Sequence, residues 1–232
     1  MPLPILEVPT YELILPSTDK PVRFRPFLVK EHKVLLTMAE ASEDEVIRIV
    51  NEIVDVCTFQ KLNTKELTHF DVEYIFMQLR AKSISEKVEV VITCANCKEN
   101  YDSNFNIENL KVEKKDNHTN KIMINNSVGV HMRYPKFDSV VKIYESDNTE
   151  EVFKMVKKCV KGVFQEDQYW DIDEQSEEDL DIFINSLTKE QFEKIEQFFI
   201  TSPKIVQEVE SDCPKCGHHN TSRIEGLQNF FV

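Results

Sequence analysis

The stretch "VITCANCKENY" (residues 91–101) carries two cysteines, Cys94 and Cys97, in the turn after an alternating apolar run. A second pair, Cys213 and Cys216, stands in "SDCPKCGHHN" (residues 211–220), again between two strand-like runs. A single Cys-x-x-Cys pair fits a redox dithiol, half of a metal site or chance. Two pairs supply four thiolates, the full tetrahedral set of a structural zinc ion. Gly217, directly after the second pair, suits a tight knuckle in which positive φ lets backbone amides face the sulfurs. The interval is unusual: about half of the chain lies between Cys97 and Cys213, whereas a compact ribbon uses a much shorter one. If one ion takes both pairs, the intervening chain must fold out and return, and zinc clamps the end of the chain to its middle. Such a closed site leaves no open position for water or substrate, which implies a structural role.

Other readings of the cysteines are weaker. A thioredoxin-like pair normally opens a helix in a βαβ unit, and iron–sulfur proteins use denser cysteine runs. His218 and His219 adjoin the second pair, but four cysteines already complete the ligand set. The remaining cysteines, Cys57 and Cys159, fall on apolar helical stripes and read as small buried hydrophobes. His131 lies in a strand pattern and reads as a half-buried sheet residue.

Working outward, "YELILP" and "VRFRPF" flank the turn-rich "STDKP" and predict a hairpin. Ser42 and Glu45 form a capping box ahead of Val46, Ile49, Val50, Ile53 and Cys57, the stripe of a buried helix face. "HFDVEYIFMQLRAKS" repeats that spacing. From about residue 86 the period changes to two, through "KVEVVIT", "NFNIENLKVE", "NKIMIN" and "VGVHMRYP". Helices return in "TEEVFKMVKKCVKGVF", read as one stripe of Val152, Val156, Cys159, Val160 and Val163, then in "SEEDLDIFINSL". A second capping box, Thr188 and Gln191, opens "KEQFEKIEQFF", and Pro203 stops it. The expected fold is α+β: helical N-terminal and C-terminal segments around a small antiparallel β region with a zinc-ribbon-like double-knuckle site. The segments read as 1–85, 86–135, 136–203 and 204–232, one integrated unit.

The composition narrows function further. The chain has 232 residues and a formal net charge of −13. Its basic clusters, "KVEKK" (111–115) and "KKCVK" (157–161), are short and mixed, so nucleic acid is an unfavoured partner. No apolar run is long enough for a membrane span. The first residues lack a basic n-region, so a reducing cytosol is expected. The acidic stretch "EDQYWDIDEQSEED" (166–179) lacks the glycine and glutamate positions of an EF-hand and reads as a solvated loop. Within it Trp170 is expected to anchor the loop to the core, with an interface anchor as the alternative. No nucleophile elbow, phosphate-cradling loop or His-Glu-x-x-His motif is present, and no small-molecule substrate is implied.

Taken together, "FRPFLVKEHKVLLTMAE", "FDVEYIFMQLRAKSISEKV", the "CANC" knuckle, "SLTKEQFEKIEQFFITSPKI", "CPKCG" and "GLQNFF" resemble a baseplate hub protein family of T-even-type tailed bacteriophages. The resemblance runs from about Arg23 to Phe231. It implies assembly of the central hub of the tail baseplate, other hub proteins as partners and no enzyme activity. It places the chain in the host cytoplasm during virion assembly, or in the virion baseplate. Interface candidates are Arg23, Phe24, Arg25, Phe27 and Trp170, with Phe230 and Phe231 in an apolar tail that also holds Leu227. Amphipathic alternation alone would instead bury Phe24 and Phe27. The alternative function is a zinc-ribbon nucleic-acid-binding protein or transcription regulator, which would need a basic surface; a thiol redox enzyme is the third.

Overall fold

A computed structural model of the protein describes residues 4, 6–38, 41–107, 110–144 and 149–225. The chain divides into two compact units, Met1–Glu113 with Lys204–Val232, and Lys114–Pro203.

In the first unit β1 (Tyr11–Ile14) and β2 (Pro21–Phe24) form the expected antiparallel hairpin. Alternation buries Leu13, Val22 and Phe24 and leaves Glu12 and Arg23 in water. Helices α1 (Val29–Leu35), α2 (Glu43–Cys57) and α3 (His69–Ser83) follow. Ser42 starts α2: its backbone amide donates to Glu45 Oε2 at 3.1 Å, and Ile49, Val50, Ile53, Val54 and Cys57 are buried behind it. Each such side chain contributes roughly 2 kcal/mol of burial. Thr68 caps α3, its hydroxyl oxygen accepting from the Asp71 amide at 3.3 Å. Asp71 is itself buried and accepts the Ser17 amide at 3.0 Å, which fixes the β1–β2 turn to the start of α3. Asp71, Val72, Glu73, Ile75, Phe76 and Met77 are all buried. An amphipathic surface helix would leave one face wet; α3 is covered on every side and is the central helix of this unit.

Strands β3 (Lys87–Thr93) and β4 (Asn100–Asn106) pair antiparallel from Lys87 opposite Asn106 to Thr93 opposite Asn100. Val88, Val90 and Ile92 of β3 point inward. The run "NFNIENLKVE" is not one strand. It breaks after Asn106, and β5 (Lys111–Glu113) starts anew in a different sheet. At the break the Ile107 amide donates to Glu86 O at 2.7 Å, and Ile107 and Leu110 are buried.

The second unit contains β6 (Lys121–Met123), β7 (Val128–Met132), α4 (Phe137–Tyr144), α5 (Thr149–Cys159), β8 (Val160–Gln165), β9 (Gln168–Asp171), α6 (Glu177–Asn185) and α7 (Lys189–Thr201). Its four strands form one antiparallel sheet in the order β6-β7-β8-β9. The core joins Ile124, Val130, Met132 and Val160 of the sheet region to Val156, Leu180, Ile195 and Phe198 of the helices. Ser176 caps α6, its hydroxyl oxygen accepting the Asp179 amide at 3.1 Å, and the expected capping box forms at α7, where Thr188 and Gln191 exchange hydrogen bonds of 2.9 and 3.3 Å.

Three expectations are corrected here. The stripe through Val163 is not one helix; α5 stops at Cys159 and Val160 begins a strand. Arg133 holds this junction, its amide donating to Cys159 O at 2.7 Å and its guanidinium to Val160 O at 3.1 Å while pairing with Asp173. Gly162 then lets the sheet close, since a Cβ there would lie 2.3 Å from the Tyr169 hydroxyl. The acidic "loop" is partly strand: Gln168–Asp171 pairs with β8, leaving Trp170 at the sheet edge, 38% exposed and not core. Finally, helix α4 begins directly after Lys136, earlier than the first predicted helix of that region.

The chain then enters β10 (Lys204–Asp212) and β11 (His219–Glu225). These complete the sheet β11-β10-β5 of the first unit. Lys204 stands opposite Glu113 in the β10–β5 ladder, so the first unit is left and re-entered through neighbouring strands. The stretch read as one β region, 86–135, thus contributes to three sheets and to both units. Among the described residues no helix is long and apolar enough to cross a membrane.

Candidate metal centre

The two cysteine pairs occupy equivalent turns. In the first, the Cys94 amide donates to Glu99 O at 2.8 Å and the Lys98 amide returns to Cys94 O at 3.0 Å. In the second, the Cys213 amide donates to His218 O and the Gly217 amide to Cys213 O, both at 2.9 Å. Each turn passes through the left-handed region after its second cysteine, at Lys98 (φ 60°) and Gly217 (φ 68°). This is the conformation that the Gly after "CPKC" anticipates, and a side chain carries it in the other knuckle. A Cβ on Gly217 would meet open space, so replacement costs only backbone strain. Gly217→Ala is expected to destabilise the first unit by about 1 kcal/mol, read as a lowered urea midpoint. A midpoint equal to wild type would contradict the left-handed geometry.

The β3–β4 hairpin and the β10–β11 hairpin bring these knuckles together. Cys94 Sγ lies 3.7 Å from Cys216 Sγ, Cys97 Sγ lies 3.6 Å from Cys213 Sγ, and all four sulfurs fall within 4.8 Å of one another. Disulfide sulfurs would be about 2.0 Å apart; these are free thiols. A tetrahedron of zinc–sulfur bonds of about 2.3 Å has edges of about 3.8 Å, close to the two short separations. The donor set therefore fits a thiophilic ion. Cys94 and Cys213 are buried, Cys97 is half-buried and Cys216 is exposed, so the site lies at the surface with one side covered by protein. Among the described residues no other group of three or more His, Cys, Asp or Glu side chains converges in this way.

Electrostatics favour thiolate at this point. The Cys97 amide facing Cys94 lowers the Cys94 thiol to about 6, helped by the amides of Asn96 and Asn220. The His218 amide lowers Cys216. Cys97 goes the other way: the Glu99 amide pulls it down, but desolvation, followed by the Cys216, Cys213 and Cys94 sulfurs, pushes it up to about 12. Four thiols this close share protons until a cation takes their place. Lys215 pairs with Glu99 across the two knuckles and adds positive charge beside the sulfurs.

The polar shell was not marked in the sequence. Asn96 Nδ2 donates to Cys216 Sγ at 3.7 Å. Asn220, 4% exposed, reaches Cys94 Sγ at 3.7 Å. His218 and His219 stay outside the sulfur cluster; His219 instead pairs with Asp212 at 2.8 Å. His131 contacts the Tyr169 hydroxyl at 3.2 Å on the β7–β9 face.

The interface candidates take varied positions. Arg23 is exposed and donates to Thr10 Oγ1 at 3.3 Å. Phe24 is 2% exposed in the core. Arg25 turns inward, with Nη2 at 2.9 Å from Glu31 and its backbone amide on Cys57 O. Glu31 also accepts the Leu28 amide at 2.7 Å, closing the start of α1. Phe27 is half-buried against Phe76. Trp170 is partly exposed beside Tyr169, which is 48% exposed. Leu227, Phe230 and Phe231 lie outside the described residues.

No curated protein and no solved structure matches the chain. One family model does match, over residues 8–232, and so spans both units and both cysteine pairs. The chain belongs to the T4 bacteriophage base plate protein family.

Proposed function

We propose that the chain is a non-enzymatic protein of the baseplate central hub that works through contacts with other hub proteins. The observation that carries this reading is the family match over nearly the whole chain, residues 8–232. The converging sulfurs of Cys94, Cys97, Cys213 and Cys216 support a structural zinc: four thiolates would fill its coordination sphere, so the ion would hold the β3–β4 and β10–β11 hairpins together. What this chain's residues do is position four sulfurs and supply amide donors to them. The metal gives cohesion to a unit that must present a fixed surface. The net charge of −13 favours protein partners over nucleic acid. The chain would act in the host cytoplasm during virion assembly.

The test is co-expression with the other hub proteins of the same phage, followed by affinity capture through a tag on this chain. A stoichiometric complex is expected. If none of them is retained under conditions in which the hub assembles, the hub reading fails.

A further inference from the structure

We infer that Asn220 is the positioning residue of the metal centre: its carboxamide joins the two knuckles and orients Cys94 toward the ion. This rests on the metal reading above and adds a residue that cysteine spacing does not reveal. Asn220 is the second residue of β11, three positions past the glycine of the second knuckle. Its side chain is 4% exposed. Oδ1 accepts the Ala95 amide at 2.9 Å, inside the first knuckle. The two N–H groups of Nδ2 are shared among three acceptors, His218 O at 2.9 Å, the Tyr101 hydroxyl at 3.1 Å and Cys94 Sγ at 3.7 Å. Tyr101 is held in turn by Ser211 Oγ at 2.8 Å.

The plain alternative is a buried asparagine satisfied by its own turn. Only the His218 bond is of that kind. The other three cross to the first knuckle or to β4, more than a hundred positions away. One primary amide carries two N–H groups and one carbonyl. Here the carbonyl fixes the knuckle backbone beside Cys94 while an N–H faces the Cys94 sulfur. Few side chains of this size supply acceptor and donor together. Hydrogen bonds to a metal-bound thiolate orient it and spread its charge, and removing such a partner weakens metal affinity by ~10–100-fold.

The two roles separate by substitution. Asn220→Ala loses both. Asn220→Asp keeps the acceptor for Ala95 but puts a carboxylate against the thiolates. If Asn220 served only to tie the backbone, Asn220→Asp, which keeps that tie, would bind metal more tightly than Asn220→Ala, its loss limited to charge repulsion. The positioning role predicts that Asn220→Asp binds zinc at least as weakly as Asn220→Ala, both ~10–100-fold below wild type.

The experiment is zinc affinity by competition with a chromophoric chelator, with the sulfur-to-metal charge-transfer band of the cobalt(II)-loaded full chain as second readout. Weaker zinc binding and a shifted cobalt band in both variants are expected. Wild-type affinity and an unchanged band in Asn220→Ala, or in Asn220→Asp, would overturn the assignment. If neither variant folds, Tyr101→Phe takes the test, because it removes the hydroxyl that steadies the amide and keeps the buried ring. It should bind a few-fold more weakly with a perturbed cobalt band, and an unchanged protein would overturn the assignment. A wild-type chain that takes up neither zinc nor cobalt sinks the metal reading itself, and Asn220 with it. A metal-binding wild type with indifferent variants sinks the positioning role alone.

Discussion

Cys94→Ser protein is expected to purify without stoichiometric zinc and to melt on the order of 10 °C below wild type. The reason is the geometry of the sulfurs. Cys94 is fully buried and stands 3.7 Å from Cys216 Sγ. A serine hydroxyl is not ionised at neutral pH, so three thiolates and a neutral oxygen remain. Binding to a structural site is folding free energy, since the unfolded chain has no preformed site. Each tenfold loss of affinity removes about 1.4 kcal/mol of stabilisation when metal is in excess. A loss of roughly 3–5 kcal/mol moves the melting point of a chain this size by about 6–20 °C. Chelator added to wild type should produce the same lowered midpoint, and Cys94→Ser should then be insensitive to it. Cys213→Ser should behave alike, because Cys213 comes from the other hairpin but faces the same cluster, 3.6 Å from Cys97. Metal content by elemental analysis and calorimetric melting check both. A Cys213→Ser protein with full zinc and wild-type melting would rule out a single shared site.

How much of this site was legible depends on distance along the chain. The four cysteines could be read because each pair is local and thiolate chemistry has few uses in such an arrangement. That one cluster takes both pairs could only be argued by counting ligands. The hairpins themselves bring the pairs together. Asn220 gave no signal, because an asparagine after "GHH" resembles any turn residue; its meaning comes from Ala95 and Tyr101, which no local pattern connects to it.

The same contrast runs through the fold. Capping boxes at Ser42 and Thr188 were right because both partners lie within one turn. The stripe from Val152 to Val163 misled because Val160 and Val163 keep a helical i, i+3 spacing, while in the sheet a register shift sets Val160 opposite Met132 and Val163 opposite Val130. The β-branched pair around Gly162 was the available clue, and the β7 partner strand decided it. Arg25 reads as an exposed basic residue in "RFRPF" and is instead spent on Glu31, a buried carboxylate that only the α1 geometry supplies. In "HFDVEYIFMQLRAKS" the limits of α3 were plain from periodicity. That it would be enclosed on every side, acidic residues included, was not, since periodicity predicts one wet face.

That enclosure leads to the second large expectation. The stability of wild type should fall as pH rises from about 4.5 to about 8, and Glu73→Met should abolish this part of the fall. Glu73 is 4% exposed on α3, and no charged or hydrogen-bonding neighbour among the described residues shifts its carboxyl. Burial alone pushes its carboxyl from 4.5 to about 8. Below pH 4.5 the carboxyl is protonated in both folded and unfolded chains, and it costs the fold no charge burial. Between 4.5 and 8 the unfolded chain ionises while the folded chain stays neutral, so folding takes up a proton. Stability then drops by up to about 1.4 kcal/mol per pH unit from this group. Above 8 the folded state ionises too and the loss levels off, at about 3–5 kcal/mol in all. Methionine matches the length of the side chain, suits a helix and carries no charge. At pH 8 Glu73→Met should therefore be several kcal/mol more stable than wild type, and at pH 5 the two should lie much closer. Urea midpoints at intervals from pH 5 to 8 measure this, and the difference between the two proteins cancels the titration of the thiols and surface groups common to both. Parallel pH profiles would mean that Glu73 ionises freely in the fold, and the argument from its burial would be lost.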